Sequence, residues 1–408
     1  MFAALNAFMT RSSGYFINKS LRFRSSASAY LNRTAGTPTA QTKYTISVWV
    51  KRGTSTYYSV FSAGSSALND YDSVQFNSAS TLAFFTGPGA GSADLVTTQL
   101  FRDYAAWYHI IVAVDTTQAT ASNRVKFYVN GTQVTSFTSS TYPSLNGTSA
   151  INRSGAVQAI GALYSGSYNQ YFDGEMAEFN FIDGQQLAPT ALGAFSIYNQ
   201  WLPIKYTGTY GTNGFYLPFS NTTSTSTLVA DSSGNGNNWT PNNISLTAGS
   251  TYDSLTDVPT LTSATAANYV VWNPLWQGRT NSPTNGNLDY PASSVGIGTM
   301  DLSTGSFYWE ITATGGIATV AVYSTSASSS AAVPLGLTYG FRFNGTTGAF
   351  DYTTNGTVFT SIATGLTSGP YFIYVSTAAA TTASLNAGQR PLAYTPPTGF
   401  LALNTFNI

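Results

Sequence analysis

The 408-residue chain contains no cysteine and a single histidine, His109. Without thiols, disulfide frameworks and thiolate-based metal or nucleophile sites are excluded. One histidine rules out multi-histidine metal sites and makes most base-assisted nucleophile schemes hard to build. Charge is scarce too: Asp, Glu, Lys and Arg make up 8% of the residues, against about 25% in average soluble domains. Sixteen basic residues cancel sixteen acidic ones and no Lys/Arg run exists, so the chain lacks the basic face that nucleic-acid binding requires. The densest basic stretch, Arg11, Lys19, Arg22, Arg24 and Arg33, is read either as a site for an anionic partner or as an N-terminal segment docking onto another subunit. The apolar run Met1 to Met9 (MFAALNAFM) is too short to cross a bilayer. It also lacks a basic flank and the apolar core of a signal peptide, so a short amphipathic helix or docking arm is expected and membrane insertion is not. Helical periodicity is rare, its best candidate being Pro189 to Gln200.

Aromatics are abundant: 14% of the chain, with 27 Tyr and 25 Phe, beside 37 Gly and many Ser, Thr and Asn. Disordered chains are poor in aromatics and rich in charge, so this composition marks folded protein. At 408 residues more than one domain is expected. Short β-branched and aromatic runs recur between Gly, Asn, Ser and Thr clusters. Tyr44, Ile46, Val48 and Val50 alternate onto one face of a strand. Trp107 to Val114 (WYHIIVAV) reads as a central strand. Arg124 to Val129 leads into Asn130-Gly131, a pair that accepts the positive φ of a hairpin turn, and Thr132 to Phe137 returns as the partner. Later strands are expected at Ser306–Thr312, Thr319–Tyr323, Tyr339–Phe343 and Tyr371–Val375. Such spacing predicts sandwiches or barrels.

The residues of the first region resemble the laminin-G/concanavalin A-like jelly-roll family. The likeness rests on YTISVWVK (Tyr44 to Lys51), WYHIIVAVD (Trp107 to Asp115), VKFYVNG (Val125 to Gly131) and FDGEMAEF (Phe172 to Phe179), in that order. The C-terminal region resembles a SPRY-type domain through GSFYWEI (Gly305 to Ile311) and the stretch from Asn386-Ala387-Gly388 through Pro391 and Tyr394 to Pro397-Thr398-Gly399-Phe400. The whole order, with the intervening TYGTNGFYL and DSSGNGNNWTPNN segments, is similar to virion proteins of tailed bacteriophages. The resemblance implies a particle-surface location and the role of a tail fibre, host-binding protein or decoration.

The expected fold is therefore all-β: two lectin-like antiparallel sandwiches joined by an ordered Gly/Asn/aromatic-rich connector. The expected organisation is an N-terminal arm at 1–15, a jelly roll at 16–204, the connector at 205–267 and a SPRY-like sandwich at 268–408. Related folds host glycoside hydrolases, whose retaining members need two carboxyls about 5–5.5 Å apart. Only three Glu exist, at 175, 178 and 310, and strand alternation predicts that Glu175 and Glu178 point to opposite faces. No catalytic residues are therefore assigned, and His109 is expected to be structural. The resemblance to jelly-roll lectins implies calcium as the one cofactor to consider, with Asp72, Asp115 and Asp173 as rim ligands. The Asp231 loop looks superficially like a calcium loop but lacks its closing Glu. A glycan platform is expected from Tyr57, Tyr58, Tyr164, Tyr168, Asn169 and Tyr171. The alternative reading is that such tyrosines form a protein interface.

The leading expectation is a homo-oligomeric virion adhesin that binds host glycans and has sister subunits and other virion proteins as partners. The alternatives are a head decoration or head fibre without glycan binding, and an envelope-polysaccharide hydrolase.

Overall fold

The computed structural model describes residues 14–53, 58–67, 70–87, 93–324, 328–333 and 337–408, with the backbone alone for 328–333. The expected arm falls almost entirely outside the described residues, as does Tyr57. The chain divides into two compact units: Met1–Lys51, Ser55–Asp103 and Trp107–Ile244 form the first, and Arg52–Thr54, Tyr104–Ala106 and Ser245–Ile408 the second. The stretch read as a connector is thus shared, 205–244 going to the first unit and 245–267 to the second.

In the first unit a front sheet runs in the order Thr132–Val134, Val125–Val129, Tyr108–Asp115, Lys43–Arg52, Gly174–Asp183 and Ser20–Phe23, with Phe215–Leu217 added along Gly174–Asp183. The back sheet has eight strands, in the order Phe137–Thr141, Asp94–Thr97, Leu82–Thr86, Tyr71–Phe76, Tyr58–Gly64, Val157–Ile160, Tyr30–Thr34 and Thr240–Asn242. Aromatic side chains fill the space between them. Phe61 of the back sheet meets Phe179 (5.5 Å), Phe181 (5.8 Å) and Phe215 (6.3 Å) of the front sheet.

The Asn130-Gly131 turn forms as expected, with φ of 47° and 78°. A β-carbon at Gly131 would also run into the Trp201 ring. Within Tyr108–Asp115, Ile110 to Val114 form an unbroken apolar run, as expected of a strand buried on both faces. Ile111 and Ala113 lie in a cluster with Tyr128, Ile182 and Leu192.

The helix expected over Pro189–Gln200 does not form. Pro189–Ala191 make one 3-10 turn, and Gly193–Phe195 then pair with Trp201–Pro203 as a hairpin. Gly193 interrupts the helical pattern, and a β-carbon there would strike the Trp201 ring. The hairpin turn uses Asn199 at φ 60°.

The Gly/Asn-rich tail of the first unit is ordered by hydrogen bonds. The Asp231 carboxylate accepts from the backbone N–H of Tyr216, Ser233 and Asn237. Arg33 lies over Phe215 (5.3 Å) and Trp239 (5.8 Å), and its guanidinium donates to the Asn213 carbonyl at 3.2 Å. The expected basic patch is divided by the fold: Arg22 is fully buried and Arg33 is 7% exposed, Lys19 and Arg24 remain half-exposed, and Arg11 lies outside the described residues. Aromatic stacking and carbonyl acceptors make such burial of a guanidinium tolerable.

The second unit is a sandwich as well. One sheet runs Asp289–Tyr290, Thr382–Asn386, Ser306–Thr314, Thr338–Asn344, Ala349–Thr353 and Thr360–Ala363, with Leu401–Ala402 added in parallel to Ser306–Thr314. The other runs Val295–Asp301, Phe372–Thr377, Ala318–Tyr323 and Ser328–Val333. Trp309, Phe341 and Phe350 of the first meet Val320, Val322, Ile373 and Val375 of the second in one buried core.

Candidate functional site

Four half-buried tyrosines gather at one end of the back sheet. Tyr164 and Tyr168 face each other across the two-residue ladder Leu163–Tyr164/Tyr168–Asn169, their rings 4.9 Å apart. Tyr30 lies against Tyr168 at 4.2 Å and 31°, and against Tyr171 at 6.0 Å. The hairpin tip is exposed at Gly166 and Ser167, with Gly166 at φ 89°. The Tyr171 hydroxyl donates to the Tyr168 carbonyl, and Asn169 Nδ2 donates to Ser165 Oγ at 3.3 Å. Beside them Asn242 Nδ2 donates to Asn32 Oδ1 at 2.7 Å. Burial pushes the Tyr168 hydroxyl up to about 12, so that hydroxyl stays neutral across the physiological range. Aromatic faces with a few amide and hydroxyl groups at their edge make a surface that takes both apolar and hydrogen-bonding contacts.

Of the expected platform residues, Tyr164, Tyr168, Asn169 and Tyr171 lie together. Tyr58 does not join them: it is 7% exposed and sits edge-on to Phe172 at 6.2 Å inside the sandwich. Tyr30 joins the cluster, and its only sequence signal is its place at the head of a strand, Tyr30–Thr34, that passes the same corner.

The three aspartates expected at a calcium rim are not brought together. Asp72 is 2% exposed, and its carboxylate accepts the backbone N–H groups of Gly87, Ala150 and Ile151. Burial nonetheless pushes it up to about 6. Asp115 closes a turn through the Thr117 N–H and hydroxyl and pairs with Lys43 at 3.3 Å. Asp173 accepts from Ser25 Oγ at 3.0 Å. Among the described residues no group of three or more acidic or histidine side chains is placed to hold a metal ion.

His109 is sandwiched between Trp49, stacked at 4.7 Å and 3°, and Trp201, at 6.1 Å and 26°. Trp201 Nε1 can only donate, so His109 Nδ1 accepts from it at 2.8 Å and the ring proton resides on Nε2, which donates to Ser47 Oγ at 2.8 Å. Burial pushes the imidazole down to about 3, so it stays neutral. This is a histidine built into packing.

The two glutamates of FDGEMAEF differ from expectation. Leu21 and Phe23 point into the sandwich, and Met176 lies opposite Leu21; Glu175, opposite Arg22, therefore faces outward. Phe179 again points inward, against Phe61. Two inward residues three apart require an extra residue in the strand, and Glu178 marks it with φ 51°. The bulge turns Glu178 outward as well, onto the same face as Glu175. Both are buried there. The Glu178 carboxyl accepts from the Tyr216 hydroxyl at 2.8 Å and from the Tyr15 hydroxyl at 2.6 Å. Burial raises it to about 7, against the lowering effect of the two tyrosine hydrogen bonds.

Residues 25–189 match the family model of the concanavalin A-like lectin/glucanases superfamily. Among solved structures, domains LG4-5 of the mouse laminin alpha1 chain share 10% identity at a TM-score of 0.33, with 96% of this chain and 95% of that one covered. The heptameric SAP-like pentraxin of Limulus polyphemus shares 16% at a TM-score of 0.32, covering 42% of this chain and 78% of that one. The PSpry domain of TRIM65 shares 12% at a TM-score of 0.24, covering 29% and 91%. No curated protein sequence matches the chain significantly. The protein is nearly all-β, and its first unit has the laminin-G/concanavalin A-like jelly-roll fold, a lectin-like fold.

Proposed function

We propose that the chain is a surface protein of a tailed-bacteriophage particle, a tail fibre or adhesin that attaches to host surface glycans without cutting them. The observation that carries the glycan reading is the half-exposed Tyr30/Tyr164/Tyr168/Tyr171 cluster with its rim of Asn and Ser on a lectin-type sandwich. The particle context rests on the similarity of the segment order to phage virion proteins, and a SPRY-like character of the second unit is part of that reading. Binding without cleavage is supported by the placement of the glutamates. Glu175 is 1% exposed and Glu178 8%, and Glu178 is engaged by two tyrosine hydroxyls.

Low charge and abundant tyrosine suit attachment by hydrogen bonds and apolar area, with several chains acting together. Multivalency makes weak single contacts firm through effective concentration. Antibody labelling of intact particles, viewed by electron microscopy, tests this placement. Label at the tail or its fibres is the expected result. Label over the head would replace the adhesin by a decoration or head fibre.

A further inference from the structure

The second unit contains a cavity of about 200 Å³ on the outer face of its larger sheet, lined by Ala248, Ser250, Glu310, Thr312, Thr338, Asn386, Arg390 and neighbouring backbone. A single water needs only about 10–15 Å³ of such space, whereas pockets for drug-sized ligands measure about 300–1,000 Å³. The space is suited to one small ring.

The cavity exists because a C-terminal strap crosses the sheet. The Glu310 carboxylate accepts the backbone N–H groups of Ala393 (2.9 Å) and Tyr394 (2.8 Å), fixing the strap over Ser306–Thr314. The Tyr394 hydroxyl donates to the Thr338 and Thr354 carbonyls. Arg390 holds the other wall through the Ser250 and Leu385 carbonyls and Ser384 Oγ. Thr312 and Thr338 are direct cross-strand partners whose hydroxyls meet at 2.8 Å on the half-exposed side.

The lining sets the chemistry of an occupant. Glu310 and Arg390 carry opposite charges, so neither an anion nor a cation is favoured outright. Burial raises Glu310, and Arg390 acts in the opposite sense. A carboxylate offers about four lone-pair sites, of which the two backbone groups and the Tyr308 hydroxyl use three. The Thr312/Thr338 pair keeps one O–H and several lone pairs. Asn386 Nδ2 donates to the Pro391 carbonyl at 3.0 Å, and the amide's second N–H is available. What remains is a mixture of single donors and acceptors around a neutral space. Hydroxyl groups, which donate and accept at once, match it best.

We infer that this cavity is a second binding site, for a single neutral polyhydroxy ring such as a monosaccharide unit, separate from the tyrosine cluster of the first unit. Thr312 and Thr338 hydrogen-bond the ring's hydroxyls at the mouth, Asn386 and Glu310 line the interior, and the exposed Ala248 borders the opening.

The test is saturation-transfer difference NMR on the full chain. The probes are the methyl glycosides of glucose, galactose and mannose, together with N-acetylglucosamine. The measurement is made in a Tyr30→Ala/Tyr168→Ala background, so that the first unit does not contribute. At least one sugar is expected to give signal there. Removing the two hydroxyls with the isosteric Thr312→Val/Thr338→Val pair should weaken binding at least about tenfold, the equivalent of about one or two hydrogen bonds. Ala248→Trp, at an exposed position, should block the opening and abolish the signal while the melting temperature stays unchanged. Absence of signal from all four sugars in that background overturns the inference. So does signal that survives both cavity variants.

Discussion

Replacing Glu178 by Gln is expected to change how the stability of the first unit depends on pH, with a sign fixed by burial. The Glu178 carboxyl rises from 4.5 to about 7 in the folded protein, so the folded state holds its proton more tightly than the unfolded chain. The stability contributed by the protonated form is complete below about pH 4.5 and is lost as pH rises through about 7. Each tenfold difference in proton affinity between the two states corresponds to about 1.4 kcal/mol, which puts the full loss on the order of 3–4 kcal/mol. Gln mimics the neutral carboxyl in size, keeps an acceptor for the Tyr15 and Tyr216 hydroxyls, and does not titrate.

The wild-type curve alone does not isolate this effect. His109, pushed from 6.5 down to about 3, acts in the opposite sense: its contribution is complete above pH 6.5 and drains as the solution becomes more acidic. Asp72, raised from 3.8 to about 6, acts in the same sense as Glu178. The difference between wild type and Glu178→Gln cancels both. Thermal unfolding followed by circular dichroism at pH 4.5 and pH 8 should show the variant gaining on wild type as pH rises, by about 2–4 °C per kcal/mol for a unit of this size. Melting temperatures that stay parallel across this range would refute the burial argument for Glu178.

Two other substitutions probe the packing. Because the chain has one histidine, its ring protons give one set of NMR signals, and these should not titrate between pH 5 and 8; a midpoint near 6.5 would contradict the Trp49–His109–Trp201 stack. His109→Leu should destabilise by about 2–4 kcal/mol, since it leaves the Trp201 N–H and the Ser47 hydroxyl without their partner; urea unfolding measures it. Arg33→Lys should cost about 1–3 kcal/mol, because an ammonium neither stacks on Phe215 and Trp239 nor forks to Asn213. A urea midpoint within error of wild type would contradict that role.

The legible parts of the sequence were those governed by local periodicity. Tyr44, Ile46, Val48 and Val50 do point into the sandwich, and Asn130-Gly131 does turn a hairpin, because period-two alternation and positive φ are properties of a few adjacent residues. The tyrosines at 164, 168 and 171 were found because one short hairpin carries them. What escaped depends on partners distant in sequence. The bulge at Glu178 is visible only once Met176 and Phe179 are seen to share the interior, and it reversed the expected orientation of a carboxylate. Arg33 read as part of a charged patch because its burial depends on Phe215 and Trp239, about 180 to 205 positions away, and Arg22 because its strand partner is Glu175, about 150 positions away. Tyr58 read as exposed beside a Ser/Thr stretch, yet its strand lies within the back sheet. Tyr30 joins the cluster through the fold alone, about 140 residues from Tyr168. Pro189–Gln200 carried a helix start signal, but Gly193 and the demand of Trp201 for space made a hairpin.

Whether the tyrosine cluster binds saccharide is the most direct question to put to the protein. A glycan array and titration calorimetry with its best ligand, comparing wild type with Tyr30→Ala/Tyr168→Ala at low and moderate salt, measures this. The expected result is a glycan-specific signal that changes little with salt, because few charges take part, and that falls at least about tenfold in the double variant, as follows when aromatic contact area is removed. No glycan bound by wild type, or a bound glycan indifferent to the loss of both tyrosines, would contradict the proposed role of the cluster.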